Sequence, residues 1–269
     1  IQTGGFSYKY DKCDMHSNPE AIAAQETYLR DLVKHTNPYT GLAYKDDPSI
    51  VGFEINNEPC HSGTKEEVKA YINRMLKSMS KAGNRKPVFY NVSHNGYVAE
   101  AYYETTVQGT TYQWYPIGLV SGQTQQGNFL PYVDRYDIPF AGKVKEFNKK
   151  ARMIYEFDPA DIMYSYMYPA MVRTFRTAGF QWITQFAYDP IDLAFANTEY
   201  QTHFLNLAYT PNKAISMKIA AEAARSLKRG ESYGSYPQDT IFGNSFRVSY
   251  AEDLRSEEHT SELQSLCCI

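Results

Sequence analysis

The spacing of apolar residues along the chain predicts four helices. The stretch after Ser17-Asn18-Pro19-Glu20, a capping-box pattern with Pro in the first turn, keeps near-helical spacing to about Thr36. A second capping box, Thr64-Lys65-Glu66-Glu67, opens an apolar stripe that stops at Gly83. The other two predicted helices span residues 161–178 and 211–230.

Short apolar runs rich in β-branched and aromatic residues alternate with these helices. Each run has the composition of a strand. The five predicted strands cover residues 50–56, 87–92, 110–115, 151–157 and 179–186. No tight hairpin signal joins successive runs, so parallel pairing through right-handed crossovers is expected. The predicted fold class is therefore α/β.

A doubly wound sheet and an eightfold (β/α) barrel both fit this alternation. A doubly wound nucleotide-binding protein needs a glycine-rich turn after its first strand, and neither G-x-G-x-x-G nor the phosphate-loop pattern occurs. The barrel is therefore favoured. A complete barrel takes about 250 residues, whereas the five strands all lie within residues 49–186. We expect an incomplete barrel with three strands missing or truncated at the N-terminal side.

The domain organisation follows from changes in pattern along the chain. Residues 1–230 are assigned to the barrel. Residues 231–254 predict a linker and the start of a β-rich domain. Residues 255–269 resemble the translation of a sequencing-library adapter, and we expect a non-native tail whose Leu263 and Leu266 pack against nothing. No targeting leader precedes the first helix, so such a signal is expected outside this sequence.

Composition narrows the class of protein. The chain has 269 residues, of which 43% are hydrophobic and 15% aromatic, enough for one large core. With 27 basic and 30 acidic residues and a net charge of −3, it has no feature that favours nucleic acid. No run approaches the roughly 18 apolar residues of a membrane span. Outside the tail only Cys13 and Cys60 remain, too few for a disulfide framework, so the redox compartment stays open.

Two carboxylates stand where predicted strands end. Glu58 lies in Ile55-Asn56-Asn57-Glu58-Pro59, and Glu156 lies in Met153-Ile154-Tyr155-Glu156-Phe157-Asp158-Pro159. A single Glu at a strand end is usually a cap or an ion-pair partner. Barrel enzymes, however, place their catalytic groups at the C-terminal ends of strands. Glycoside hydrolysis requires two such carboxyl groups, one to protonate the leaving oxygen and one to stabilise or attack the anomeric carbon.

Here the sequence resembles the clan A glycoside hydrolases, particularly family five. The segment 37–48, followed by Glu54-Ile55-Asn56-Asn57-Glu58-Pro59, is similar to the approach to strand four in members of the endo-β-mannanase type. The resemblance covers roughly residues 20–230 as strands four to eight of a TIM (β/α)8 barrel. It implies that Glu58 is the acid/base, Asn57 the partner of the sugar 2-hydroxyl and Glu156 the nucleophile.

The resemblance also implies aromatic and polar contacts with substrate. On strand six either Trp114 or Tyr115 faces the site, and the sequence leaves that choice open. Strand eight offers Trp182 and Tyr188, together with Phe186, in place of one obvious stacking Trp. His94, after strand five, either reaches a sugar hydroxyl or has a structural role in its turn.

Two other features have an ordinary structural explanation. Cys60-His61 adjoins the candidate acid, but sequence neighbours rarely form a dyad and no i, i+4 histidine pair occurs, so neither a metal nor another cofactor is predicted. The polar loop 121–128 is either an ordinary surface loop or a lid over the site.

The sequence thus predicts a retaining β-glycoside hydrolase that acts on a β-linked polysaccharide or oligosaccharide of the mannan or glucan type. We expect the full-length protein to be secreted, periplasmic or on the cell surface. The alternative is a catalytically silent carbohydrate-binding barrel, which has no reason to keep both Glu58 and Glu156. A third hypothesis is that this chain is inactive, since a barrel without its first strands exposes sheet edges.

Overall fold

The computed structural model describes residues 4–92, 97–119, 123–138, 140–194 and 205–257. The α/β fold class is confirmed, because parallel strands alternate with helices along the chain. Five strands form one sheet in chain order: β1 Phe53–Glu54, β2 Val88–Asn91, β3 Gly109–Trp114, β4 Ala151–Phe157 and β5 Trp182–Ile183. The pairs β1 with β2, β2 with β3 and β4 with β5 are parallel, as expected.

The first and last strands of this sheet are shorter than their apolar runs predict. Each of them has a single neighbour among the described strands. The chain next to β5 still follows the sheet for a few residues, since Thr184 N–H donates to the Ile154 carbonyl at 2.9 Å. Because β1 and β5 each pair with a single described strand, they form fewer ladder hydrogen bonds and are shorter than predicted. The order of the strands is unaffected.

Seven helices lie in the described ranges. They are α1 Phe6–Lys9, α2 Pro19–Lys34, α3 Lys65–Lys81, α4 Glu100–Tyr103, α5 Met167–Thr177, α6 Ile191–Ala194 and α7 Pro211–Ser226. None of them combines the length and apolarity that a membrane span needs. Short 3₁₀ turns occupy Asp14–His16, Leu130–Val133 and Phe147–Lys149.

The helix boundaries confirm one predicted cap and correct another. The Thr64 capping box is present, with the Thr64 hydroxyl and the Glu67 carboxylate each bonded to the other residue's backbone N–H. The first capping box was wrong by one residue, because Asn18 and not Ser17 accepts the hydrogen bonds of the first turn of α2. The start of α5 lies six residues later than predicted, since Asp161 has a φ of +65° and interrupts the helical path.

The chain divides into two compact units. Unit 1 comprises Ile1–Tyr112 and Pro139–Arg152, and unit 2 comprises Gln113–Ile138 and Met153–Ile269. In unit 1, α2 packs against α3. Their large buried apolar side chains are those of Ile22, Leu29, Val33, Val68, Tyr71, Ile72, Met75 and Met79. Each large apolar side chain buried in this way contributes about 1.5 to 3 kcal/mol.

In unit 2, α5 packs against α7, and every residue of α5 from Met167 to Phe175 is buried. Its Arg173 guanidinium lies over the Tyr236 ring at 3.5 Å and donates to the Asp239 and Gly234 carbonyls. The segment 231–240, which contains the predicted linker, is thus anchored to the helical layer of this unit.

The strand-like runs near the C-terminus form a second, antiparallel sheet. It consists of β6 Ile241–Phe242, β7 Phe246–Ser249 and β8 Leu254–Glu257, in that order. Strand β8 extends three residues into the segment that resembles an adapter. The prediction that the tail packs against nothing is therefore wrong for residues 255–257, which pair with β7. Leu263 and Leu266 lie outside the described residues, so their exposure stays a prediction.

Candidate functional site

The candidate acid/base, Glu58, lies in unit 1 on the loop that follows β1. Its backbone has a φ of +46°, a left-handed conformation that residues with a Cβ seldom adopt. The Glu58 N–H donates to Asn91 Oδ1, at the end of β2, at 3.1 Å. Its carboxylate Oε2 lies 3.5 Å from Lys12 Nζ, and the side chain is 28% exposed. The carboxylate is therefore held beside a cation and still reaches solvent.

A network of hydrogen bonds between largely buried side chains supports this loop. Asn56 Nδ2 donates to the Tyr71 hydroxyl at 2.8 Å and to the Tyr90 hydroxyl at 3.3 Å. His61 Nε2 lies 2.7 Å from the same Tyr90 oxygen. Asn57, the predicted partner of the sugar 2-hydroxyl, is exposed. Of the two consecutive asparagines, the first thus packs inward and the second is accessible to a ligand.

A disulfide between Cys13 and Cys60 closes the other side of the loop. The sequence did not predict this bridge, because two cysteines 47 residues apart carry no spacing signal. The bridge joins the residue after Lys12 to the second residue after Glu58. The only available hint was the position of Cys60 directly behind the Asn-Glu-Pro motif.

Two histidines lie next to the disulfide, and both are held neutral. Burial lowers the pKa of His16 to about 4 and that of His61 to about 3. Their rings are 4.4 Å apart, and His16 also disfavours a positive charge on His61. Within the described ranges no three His, Cys, Asp or Glu side chains form a group suited to a metal ion.

The candidate nucleophile, Glu156, lies in unit 2, one residue before the end of β4. The hydroxyl of Tyr115, the first residue after β3, donates to Glu156 Oε1. Burial, followed by the hydrogen bond to Glu156 and its negative charge, raises the pKa of Tyr115 far above its ordinary value. The phenol therefore keeps its proton and donates a hydrogen bond to the Glu156 carboxyl group.

The structure distinguishes the two aromatic candidates of β3. Tyr115 contacts Glu156, whereas the Trp114 ring packs edge-on against Tyr136 and Phe175 at 5.0 and 5.3 Å. Successive side chains of a strand point to opposite faces, so only one of the two neighbours can be beside the carboxylate. Trp114 belongs to the aromatic core of unit 2.

Sequence reasoning did not single out Asp158, the second residue after Glu156. It is completely buried and accepts hydrogen bonds from the Tyr168 hydroxyl at 2.5 Å and from Gln185 Nε2 at 3.2 Å. Lys213, on α7, is buried as well; desolvation lowers its pKa, and the negative charge of Asp158 opposes that shift. Asp158 thereby ties the end of β4 to α5 and to the segment after β5. Its place in Glu156-Phe157-Asp158-Pro159 at a strand tip was the available signal.

The aromatic residues proposed for substrate contact after β4 are accessible. Trp182, on β5, and Tyr188 are each 51% exposed. The Trp182 indole N–H donates to Thr184 Oγ1 at 2.7 Å, which limits rotation of the ring. His94 lies outside the described residues, as do residues 121 and 122 of the polar loop 121–128.

No protein-family model matches the chain. Over 64 residues, 23% of its length, it is 31% identical to mannan endo-1,4-beta-mannosidase 3 of Arabidopsis thaliana. Its structure is similar to that of the endo-1,4-beta-mannanase from Rhizomucor miehei, with a TM-score of 0.58, 17% identity and coverage of 82% of this chain and 67% of that one. A glycoside hydrolase family 5 mannosidase from the same organism gives a TM-score of 0.56 and 15% identity over 80% of this chain.

These similarities confirm the fold that the sequence resemblance implied. The chain spans only part of the length of these relatives: the match covers 16% of the Arabidopsis protein and 62% of the family 5 mannosidase.

Proposed function

We propose that the protein is a retaining β-glycoside hydrolase that acts on β-linked polysaccharides or oligosaccharides of the mannan or glucan type. The observation that carries this proposal is a pair of carboxylates, Glu58 on the loop after β1 and Glu156 at the C-terminal end of β4, in a fold shared with mannanases. Barrel enzymes assemble their sites from such strand ends. The Arabidopsis relative, named a mannosidase, supports mannan as the first substrate to test.

In this proposal Glu58 and Glu156 divide the work of a double displacement. Glu156 attacks the anomeric carbon while Glu58 donates its proton to the leaving glycosidic oxygen, which gives a covalent glycosyl-enzyme. Glu58 then removes a proton from water, and the hydroxyl attacks the anomeric carbon and releases Glu156. A retaining reaction of this kind requires carboxyl groups about 5 to 5.5 Å apart.

The hydrogen bond from Tyr115 fits the role of Glu156 as nucleophile. A nucleophilic carboxylate must remain ionised while the acid keeps its proton, and a neutral phenol that donates to it favours the ionised form. The side chain of Glu58, in contrast, is 28% exposed and lies 3.5 Å from Lys12 Nζ.

Substrate contacts are proposed for Asn57, His94, Trp182 and Tyr188. Aromatic faces stack on the apolar faces of sugar rings while their polar edges remain hydrated. The half-exposed rings of Trp182 and Tyr188 suit this role. Asn57 is the proposed partner of the sugar 2-hydroxyl.

The test compares Glu156→Ala and Glu58→Ala on an activated aryl β-glycoside and on an unactivated β-mannan or β-glucan. Glu156→Ala should abolish turnover of both substrates. Glu58→Ala should slow the unactivated substrate by about 10²- to 10⁴-fold and the aryl glycoside far less, with azide trapping the glycosyl-enzyme. Glu252→Ala, which removes an exposed carboxylate paired with Arg247, is the matched control and should leave both rates unchanged.

The alternative function, a catalytically silent carbohydrate-binding barrel, makes the opposite prediction. Near-normal glycan binding by a protein without measurable turnover, with no effect of Glu156→Ala, would support it and contradict the hydrolase.

The Cys13–Cys60 disulfide supports a location in an oxidising compartment. We therefore propose that the full-length protein is secreted, periplasmic or on the cell surface. Thiol labelling of the native protein checks this, because a reagent that modifies Cys13 or Cys60 without prior reduction would contradict it.

A further inference from the structure

Asn91, the last residue of β2, is completely buried and bonded on both sides of its amide. Its Oδ1 accepts the backbone N–H of Glu58 at 3.1 Å. Its Nδ2 donates to the carbonyl and the hydroxyl of Thr111, on β3, both at 3.1 Å. These two donated bonds fix which amide atom faces Glu58.

Thr111, which accepts the hydrogen bonds of the Asn91 amide, is itself hydrogen-bonded to β1. The Thr111 hydroxyl donates to Glu54 Oε1, on β1, at 2.5 Å. Asn91 and Thr111 are also direct partners in the register of β2 and β3. The acceptor that faces Glu58 is therefore held by side chains from three adjacent strands of unit 1, in a place closed to water.

Glu58 needs such an anchor. Its φ of +46° lies in the left-handed region, where a residue with a Cβ persists only if its surroundings impose that conformation. Pro59 follows and further restricts the backbone of Glu58. The φ at Glu58 sets the direction in which the carboxylate leaves the chain.

The other attachments of this loop act elsewhere. The Lys12 ion pair reaches the end of the Glu58 side chain, is 53% exposed on the lysine side and holds the backbone only weakly. The disulfide acts at Cys60, two residues beyond. The bond from the Glu58 N–H to Asn91 acts directly on the residue that has the unusual φ.

We propose that Asn91 is a positioning residue: it holds the Glu58 backbone in its left-handed conformation and so directs the carboxylate toward the leaving glycosidic oxygen. This inference rests on the proposed function for its catalytic meaning, but the backbone restraint can be tested without any substrate. It also implies that Asn91-Val92-Ser93, which fits the glycosylation pattern, carries no glycan in the folded protein, because its amide is buried and bonded.

The first test is amide hydrogen exchange in the full chain. In Asn91→Ala the Glu58 amide should exchange about tenfold faster relative to the core amide of Met75. Asn84→Ala is the matched control, since Asn84 is also buried in unit 1 but its side chain bonds to the backbone of Lys86. In that variant the ratio of the Glu58 rate to the Met75 rate should not change.

Asn91→Asp separates the acceptor from the rest of the side chain and serves if Asn91→Ala does not fold. It keeps an oxygen for the Glu58 N–H and loses both donors to Thr111. Protection of the Glu58 amide should be retained in Asn91→Asp and lost in Asn91→Ala. Unchanged protection in Asn91→Ala, or loss of protection in Asn91→Asp, overturns the proposal.

The second test is kinetic. Asn91→Ala should lower kcat on an unactivated β-glycoside about tenfold more than on an activated aryl glycoside, because a misdirected acid matters least when the leaving group is good. Asn84→Ala should change both rates by the same factor. If the parent chain hydrolyses both substrates and Asn91→Ala slows them equally, Asn91 is a structural residue only. If the parent chain hydrolyses neither, the proposed function fails, while the exchange result still decides whether Asn91 restrains Glu58.

Discussion

The hydroxyl of Tyr115 donates a hydrogen bond directly to the carboxyl group of Glu156, the candidate nucleophile. Tyr115→Phe removes one hydrogen bond to a charged group, worth about 1.5 to 3 kcal/mol, and leaves the ring in place. We therefore expect kcat/KM on an activated aryl glycoside to fall roughly 10- to 100-fold with little change in Tm. Tyr132→Phe, at an exposed tyrosine, is the control. Equal kcat/KM for Tyr115→Phe and the parent protein would remove Tyr115 from the site.

The neutral histidines of unit 1 give a pH dependence whose sign follows from their lowered pKa values. Between the ordinary histidine pKa of about 6.5 and about 4, the unfolded chain binds a proton at His16 that the folded protein does not. The free energy of unfolding should therefore be largest above pH 6.5 and decrease as the pH falls toward 4, by roughly 3 kcal/mol from His16 alone.

His16→Gln should flatten this pH dependence, whereas His35→Gln, at an exposed histidine, should not. Denaturant titrations between pH 4 and pH 8 (a range set around the ordinary histidine pKa of about 6.5) measure the effect. A stability that stays constant over this range in the parent protein would show that the two rings are accessible to protons.

At the scale of elements, the N-terminus of α2 provides a test of the corrected cap. Asn18 accepts from the Glu20 and Ala21 N–H groups at 2.9 and 3.1 Å. Asn18→Ala should therefore lower the free energy of unfolding by about 1 kcal/mol, measured by denaturant titration. Ser17→Ala should change it by less than about 0.5 kcal/mol. The reverse order would restore Ser17 as the cap.

Local sequence signals predicted the elements well where those signals are short in range. The Thr64 capping box places two bonded groups three residues apart, and Gly83 adopts the positive φ that ends the helix just before it. The start of α5 was misplaced because Ile162 and Tyr166 are buried although they precede the helix, so their spacing does not reveal the turn at Asp161. Burial by tertiary contacts hides helical periodicity at such a site.

At the scale of the whole molecule, the alternation of helices and strands was enough to predict the parallel order β1 to β5. The composition of residues 231–240 did not predict that this segment packs against α5 within unit 2. Tyr236 and Arg173 make that packing, and they lie far apart in the sequence. The small and polar residues of this segment are typical of a linker. The structure shows that its Gly234 and Asp239 carbonyls accept hydrogen bonds from the Arg173 guanidinium.

The sequence by itself determined the fold class, the positions of the strands and the two candidate carboxylates, because these depend on periodicity and on motifs within about ten residues. Only the tertiary structure decided which groups hold Glu58, its loop and Glu156 in place. Asn91 is 33 residues from Glu58, Tyr115 is 41 from Glu156, and Cys13 is 47 from Cys60. Contacts across such separations depend on how the strands are arranged side by side, and the amino-acid pattern of neither partner encodes that distance.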